Sequence, residues 1–227
     1  MSPDIAKQAA LSFPRMGTYL SMSTTEPSPL CAGIALYAWN AQVAAAFMYP
    51  LHFCEVLVRN AVAEVLTTTY GPQWPWDNGF FLSLPNPSSP SAFKPRNAVL
   101  AARKKAEDFA GVGTPSTDKA IAEMSFAFWQ SMFTARYDHG LWTNHLKTVF
   151  PNSPRNVANH KIRAKIHQSL ESIRKLRNRI AHHEPIFARP LAHDYSSILR
   201  LIEFRCKQTS RWMDETQTVT QILSVRP

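Results

Sequence analysis

Glycine is scarce in this chain, with seven among 227 residues. A sandwich or barrel with many tight turns is therefore disfavoured, and the supply of Ala, Leu, Arg and Gln favours helices. Cysteine is scarcer still: Cys31, Cys54 and Cys206 form no CxxC pair and no metal-like cluster. An odd, sparse count fits buried thiols in a reducing compartment rather than a disulfide framework. Acidic residues are outnumbered, 16 against 25 Lys+Arg, for a formal charge of +9. That excess points to an anionic partner, most often nucleic acid. No unbroken apolar run reaches the roughly 18 residues that span a bilayer. The opening "MSPDIAKQAA" has no basic start followed by an apolar stretch. The expectation is a cytoplasmic protein with no membrane partner. What is plentiful is apolar material, 45% of the chain, enough to bury a core.

The periodicity predicts an all-α bundle. Residues 1–30 hold two short helices broken by Pro14, Pro27 and Pro29 and read as an N-terminal extension. A single helical domain is expected over 31–227. "CAGIALYAWNAQVAAAFMYP" (31–50) reads as a helix ending before Pro50, and 51–71 as a second helix closed by Gly71. The Pro-rich stretch 72–97 reads as a surface loop, with Trp74, Trp76, Phe80 and Phe81 tucked onto the core rather than forming a platform for bases. Further helices are expected over 98–111, 114–138, 141–150, 192–208 and roughly 209–224. The longest is expected between about Asn156 and His183.

Two charges interrupt apolar stripes. At about 100° per residue, Ile166, Leu170, Ile173 and Ile180 share one narrow face, and Arg177 falls in its middle. On the helix from residue 51, Leu51, Val58, Val62 and Val65 make the stripe, and Glu55 falls in its middle. A buried charge without a partner is costly. The pattern therefore predicts a shared polar pocket holding Glu55 and Arg177. The alternative is a cleft edge from which both side chains snorkel to water.

Arg174, Asn178 and His182 follow at four-residue spacing and form a polar strip beside Arg177. The helix should stop near His183–Glu184, because the residue before Pro185 is disfavoured in the α region. His182 then sits in the last turn, where the helix dipole favours an imidazolium. The strip lies in a basic segment: Arg155, Lys161, Arg163, Lys165, Arg174, Lys175, Arg177 and Arg179 stand against one acid, Glu171. A phosphate backbone would relieve that crowding.

The chain has no HExxH, no GxSxG and no GxxxxGK[ST]. Adjacent His182 and His183 point different ways from a helix, so they do not read as metal ligands, and no metal or cofactor is expected. Arg, Asn and His together suit phosphodiester chemistry on RNA. Histidine exchanges a proton near neutral pH, and arginine offers a forked cation to a pentavalent phosphate.

"LRNRIAHHEPIF" (176–187) resembles the RNxxxH signature of HEPN-domain proteins, here Arg177-Asn178-Arg179-Ile180-Ala181-His182. With "LHFCEVLVRNAVAEVL" upstream, which carries Glu55 and then Arg59-Asn60, it resembles the Abi-like, or abortive infection, branch. The similarity covers about residues 31–213. It implies a helical bundle that dimerises, so that two motif helices build a composite ribonuclease site. On that transfer Arg177 and His182 are catalytic, Asn178 orients, and Glu55, Arg59, Asn60, Arg174 and His183 support. Either adjacent histidine can supply the working imidazole, with His182 favoured by the motif. Arg163, Lys175 and Arg179 are expected to touch RNA.

The expected function is a metal-independent endoribonuclease, a toxin or phage-defence effector cutting cellular RNA such as tRNA, and restrained by an antitoxin or sensor. A non-catalytic RNA-binding module is the alternative. A DNA-binding regulator ranks last, since no helix-turn-helix is evident.

Overall fold

The computed structural model describes residues 2–22 and 28–227. Among the described residues there are twelve α-helices and no strand, so the fold is all-α. Pro27, read as a helix breaker, lies outside the described residues.

The bundle is built on one helix. α3 (Pro29–Tyr70) runs for 42 residues, about 60 Å at 1.5 Å per residue. Pro29 opens it, where a missing N–H costs nothing. Gly71 ends it, with φ 86° and its N–H on the Thr67 carbonyl. The expected break at Pro50 does not occur: Pro50 is buried inside a continuous helix. An interior proline costs about 3 kcal/mol. Burial of Val43, Phe47, Leu51, Cys54 and Val58 on both sides of it outweighs that cost. α3 is thus the longest helix, not the one near residues 156–183. It is also long and apolar enough to cross a membrane by length and composition alone, which the reading in two halves had hidden. Here it is the axis of the bundle, touched by α2, α7, α9, α10 and α12.

The N-terminal arm is α1 (Pro3–Leu11) and α2 (Phe13–Leu20). α1 buries nothing, while α2 buries Met16 and Tyr19 against α3. Gly33 of α3 lies under Leu20, where a Cβ would come within 2.7 Å of a Leu20 methyl, so the two helices cross closely.

The Pro-rich stretch holds more structure than a loop. A 3-10 turn (Trp74–Trp76) leads into α4 (Asn78–Ser83), capped by the Asp77 carboxylate accepting from Phe80 N–H at 2.7 Å. Trp74 and Phe80 are fully buried with rings 5.0 Å apart, and Trp76 and Phe81 are half-buried. α5 (Pro95–Ala110) stops at Gly111, φ 59°.

The helix expected over 114–138 is interrupted. α6 (Thr117–Glu123) ends at extended Met124, and α7 (Phe126–Ser131) restarts after Ser125. The break lets Phe126, Phe128 and Trp129 all turn inward. A π-helical turn at Asp138–Trp142 then leads into α8 (Thr143–Val149).

α9 (Asn159–Ala181) buries Ile162, Ile166, Leu170, Ile173, Leu176 and Ile180. α10 (Leu191–Arg205) packs on α3 and α9. The last expected helix is two, α11 (Lys207–Thr216) and α12 (Val219–Ser224), split at Gln217–Thr218. Trp39 of α3 donates to the Ile222 carbonyl at 2.8 Å and ties α12 down.

Candidate active site

The end of α9 places the motif. His182 closes the helix, its N–H on the Asn178 carbonyl at 2.9 Å. His183 follows with φ 54°. Its N–H meets the Ile180 carbonyl at 3.0 Å, and Glu184 N–H meets the Arg179 carbonyl at 2.8 Å. This bond pair is a Schellman cap, with histidine where glycine usually stands. The chain reverses there, and the side chains of both histidines remain exposed.

Three anchors hold the reversed segment, two of them from distant sequence. Asn40 of α3 is 6% exposed, and its Oδ1 accepts from Ile186 N–H at 2.8 Å and Phe187 N–H at 3.1 Å. Arg15 of α2 donates to the His183 carbonyl. Arg189 grips the buried Asp194 carboxylate through two hydrogen bonds of 2.9 Å, and the Ser172 hydroxyl donates to the same carboxylate at 3.2 Å. Sequence reading missed all three. Asn40 carried a signal: it falls on the α3 stripe between Leu36 and Val43, a polar group among core residues.

Arg177 and Asn178 are half-buried on the final turns of α9, just before exposed His182. Among the described residues no ion pair joins Glu55 to Arg177, which corrects the expected buried pair. Leu176 rather than Arg177 is fully buried at that turn, so the inward face runs through Ile173, Leu176 and Ile180, with Arg177 at its rim. The cleft-edge alternative describes both side chains, each half-exposed. Glu55 adjoins Cys54, whose thiol burial pushes up to about 12, with the Glu55 charge adding to the effect. Arg59 is half-buried with its Nε enclosed and without a hydrogen bond, and Asn60 is exposed.

Arg174 does not extend a free cationic strip. Its Nε donates to Gln130 Oε1 at 2.6 Å, and Gln130 is buried on α7. Arg163, expected on RNA, is withdrawn from any such contact. It is 8% exposed, forked onto Asp138 through two bonds of 2.8 Å, and donates to the Phe133 carbonyl. A basic count along the sequence cannot tell an inward arginine from an outward one. Lys175 is exposed and paired with Glu171 at 2.9 Å. Arg179 is half-buried, 3.2 Å from Glu184. Arg155, Lys161 and Lys165 stay exposed. Among the described residues no three His, Cys, Asp or Glu side chains gather as a metal cluster.

A family model described as Abi-like protein matches residues 30–188, about 70% of the chain. The chain belongs to the Abi-like protein family. In this Abi-like chain the match starts with α3 and ends just after the segment that Asn40 pins. It includes Glu55, Arg59 and the motif, and leaves out the N-terminal arm and α10–α12. No curated protein and no solved structure matches the chain.

Proposed function

We propose that this Abi-like protein is a HEPN-type endoribonuclease that needs no metal and acts as a toxin or phage-defence effector on cellular RNA such as tRNA. One observation supports the reading: Arg177 and Asn178 lie in the last turns of α9 and exposed His182 caps it, with the cap braced from α2 and α3. The ribose 2′-oxygen attacks the adjacent phosphorus and loses its proton to the imidazole. The phosphorus–5′-oxygen bond breaks, and the departing oxygen takes up a proton. Arg177 balances charge on the pentavalent phosphate, and Asn178 orients the groups. The products are a 2′,3′-cyclic phosphate and a 5′-hydroxyl.

Each protomer supplies one motif histidine, and the reaction needs a base and an acid. A homodimer that brings two α9 ends together meets that need as a composite site. The bundle over 31–227 is taken as one domain carrying the site, working in the cytoplasm, with an antitoxin or sensor partner holding it in check. Exposed Arg155, Lys161, Lys165 and Lys175 offer the phosphate contacts.

The test uses total RNA with EDTA present, comparing wild type with His182→Ala. Cleavage by wild type alone is expected. Cleavage by both would remove His182 from the chemistry. Cleavage by neither, with RNA still bound, would leave a binding module. Sedimentation should show a dimer, and an active monomer would end the composite-site reading.

A further inference from the structure

A half-open cavity of about 680 Å³ lies between the N-terminal arm, α3 and the end of α9. Its α3 wall is small and apolar, with Ala41, Ala44 and Met48. Tyr19 and Tyr37 stand edge to face at 5.1 Å and give it aromatic surface, with the Arg15 guanidinium 6.0 Å from the Tyr37 ring centre. His183 and Glu184 close the end toward the motif. The cavity therefore adjoins the end of α9 that carries the motif, but His182 does not line it.

Asn40 shows what the cavity lacks. It is 94% buried and lines the cavity, and its oxygen is taken by Ile186 and Phe187 N–H, which do not line it. Those two donors fix which end of the amide is oxygen. Its Nδ2 has no hydrogen-bond partner among the described residues, and it is left to face the cavity. The amide nitrogen is not closed off from solvent, so its two donors are free to meet an acceptor on a ligand in place of water. Glu184 also lines the cavity, and its carboxylate, 3.2 Å from Arg179, offers acceptor oxygens at the rim. A flat aromatic group carrying both acceptors and donors on its edge satisfies the site, and RNA presents such groups as unstacked bases held on aromatic and arginine planes.

We propose that this cavity is a nucleobase pocket that seats a base next to the cleaved phosphate, so that the N-terminal arm, which lies outside the family match, helps set where this protein cuts. The proposal rests on the nuclease reading for its source of bases, and the two fail separately. The arm supplies one wall of the pocket, from α1 and α2, through Ala10, Leu11, Arg15 and Tyr19. Arg15 joins the two sites, since the same side chain holds the His183 carbonyl.

The test fills the pocket. Ala41 is exposed on its wall, so Ala41→Trp puts an indole into the cavity without entering the core. Tyr37→Leu removes aromatic surface with little change in bulk, and serves if the tryptophan variant melts below wild type. AMP, GMP, CMP and UMP are titrated separately into full-length His182→Ala protein, with and without Ala41→Trp. RNA fragments cut by wild type and by Ala41→Trp are sequenced at their ends. One nucleotide should bind better than the rest, and Ala41→Trp should weaken it at least about tenfold, roughly 1.4 kcal/mol. The same base should be enriched beside the cut, and the enrichment should flatten in the variant. Nucleotide binding that Ala41→Trp blocks, in a protein that cuts no RNA, upholds the pocket and sinks the nuclease reading. Cutting at the same sites and rates in wild type, Ala41→Trp and Tyr37→Leu, with no nucleotide bound, overturns the pocket and leaves the nuclease standing.

Discussion

At His183 the main chain takes φ 54°, a left-handed conformation that costs a non-glycine residue roughly 1–2 kcal/mol. Three anchors hold it there, so the strain is kept at the one turn that presents the motif. His183→Gly should therefore raise the melting temperature by a few degrees, at about 2–4 °C per kcal/mol for a chain of this size. Unchanged or lowered melting would show that the imidazole itself contributes binding that offsets the strain. Asn40 acts in the opposite sense. Asn40→Ala leaves two buried N–H groups without acceptors, a loss of roughly 2–4 kcal/mol. A variant as stable as wild type would mean that water replaces the amide. Residue-scale reading of the sequence succeeded where the cause was local. Pro185 announced the helix end to within two or three residues. Arg15 could not be found that way, and Asn40 stood out only as a polar group on the α3 stripe, because what they hold lies far along the chain.

At the scale of elements, α9 was legible because its apolar residues recur at helical spacing and its stop is chemical. α3 was not, because a proline's cost is local and the burial that repays it is not. The Glu55–Arg177 pairing failed for a related reason: helical phase places residues on a face but does not tell its centre from its rim. Since Arg177 has no ion pair among the described residues, Arg177→Ala should melt within about 1 kcal/mol of wild type, as surface changes do, while cleavage is lost. A large fall in stability would restore the buried pair. α9 also carries a pH response. Burial lowers the pKa of His167 from its ordinary 6.5; Glu171 opposes the shift and Arg163 adds to it. A proton is then bound more readily by the unfolded chain, so stability is full above that ordinary value and falls as the pH drops through it. Moving from about pH 7.5 to 5.5 should lower the melting temperature of wild type more than that of His167→Gln. Equal falls would assign the response to other groups.

Over the whole molecule, the net charge of +9 pointed to an anionic partner, and the fold shows how much of that charge is free to meet one. Arg163 is spent inside on Asp138 and Arg174 on Gln130, while Arg179 shares a surface pair with Glu184. The exposed cations are therefore fewer than a count along the sequence predicts. The arm and the central helix converge on the capped end of α9, although each lies more than a hundred residues from it in sequence. The central claim is that the RNA's own 2′-hydroxyl is the nucleophile. The most direct measurement takes a short RNA containing a mapped cut and replaces only the nucleotide on the 5′ side of that cut with its 2′-deoxy form. Cleavage there should stop while other positions are still cut. A cut that persists at the deoxy nucleotide would contradict the mechanism, and with it the roles given to Arg177 and His182.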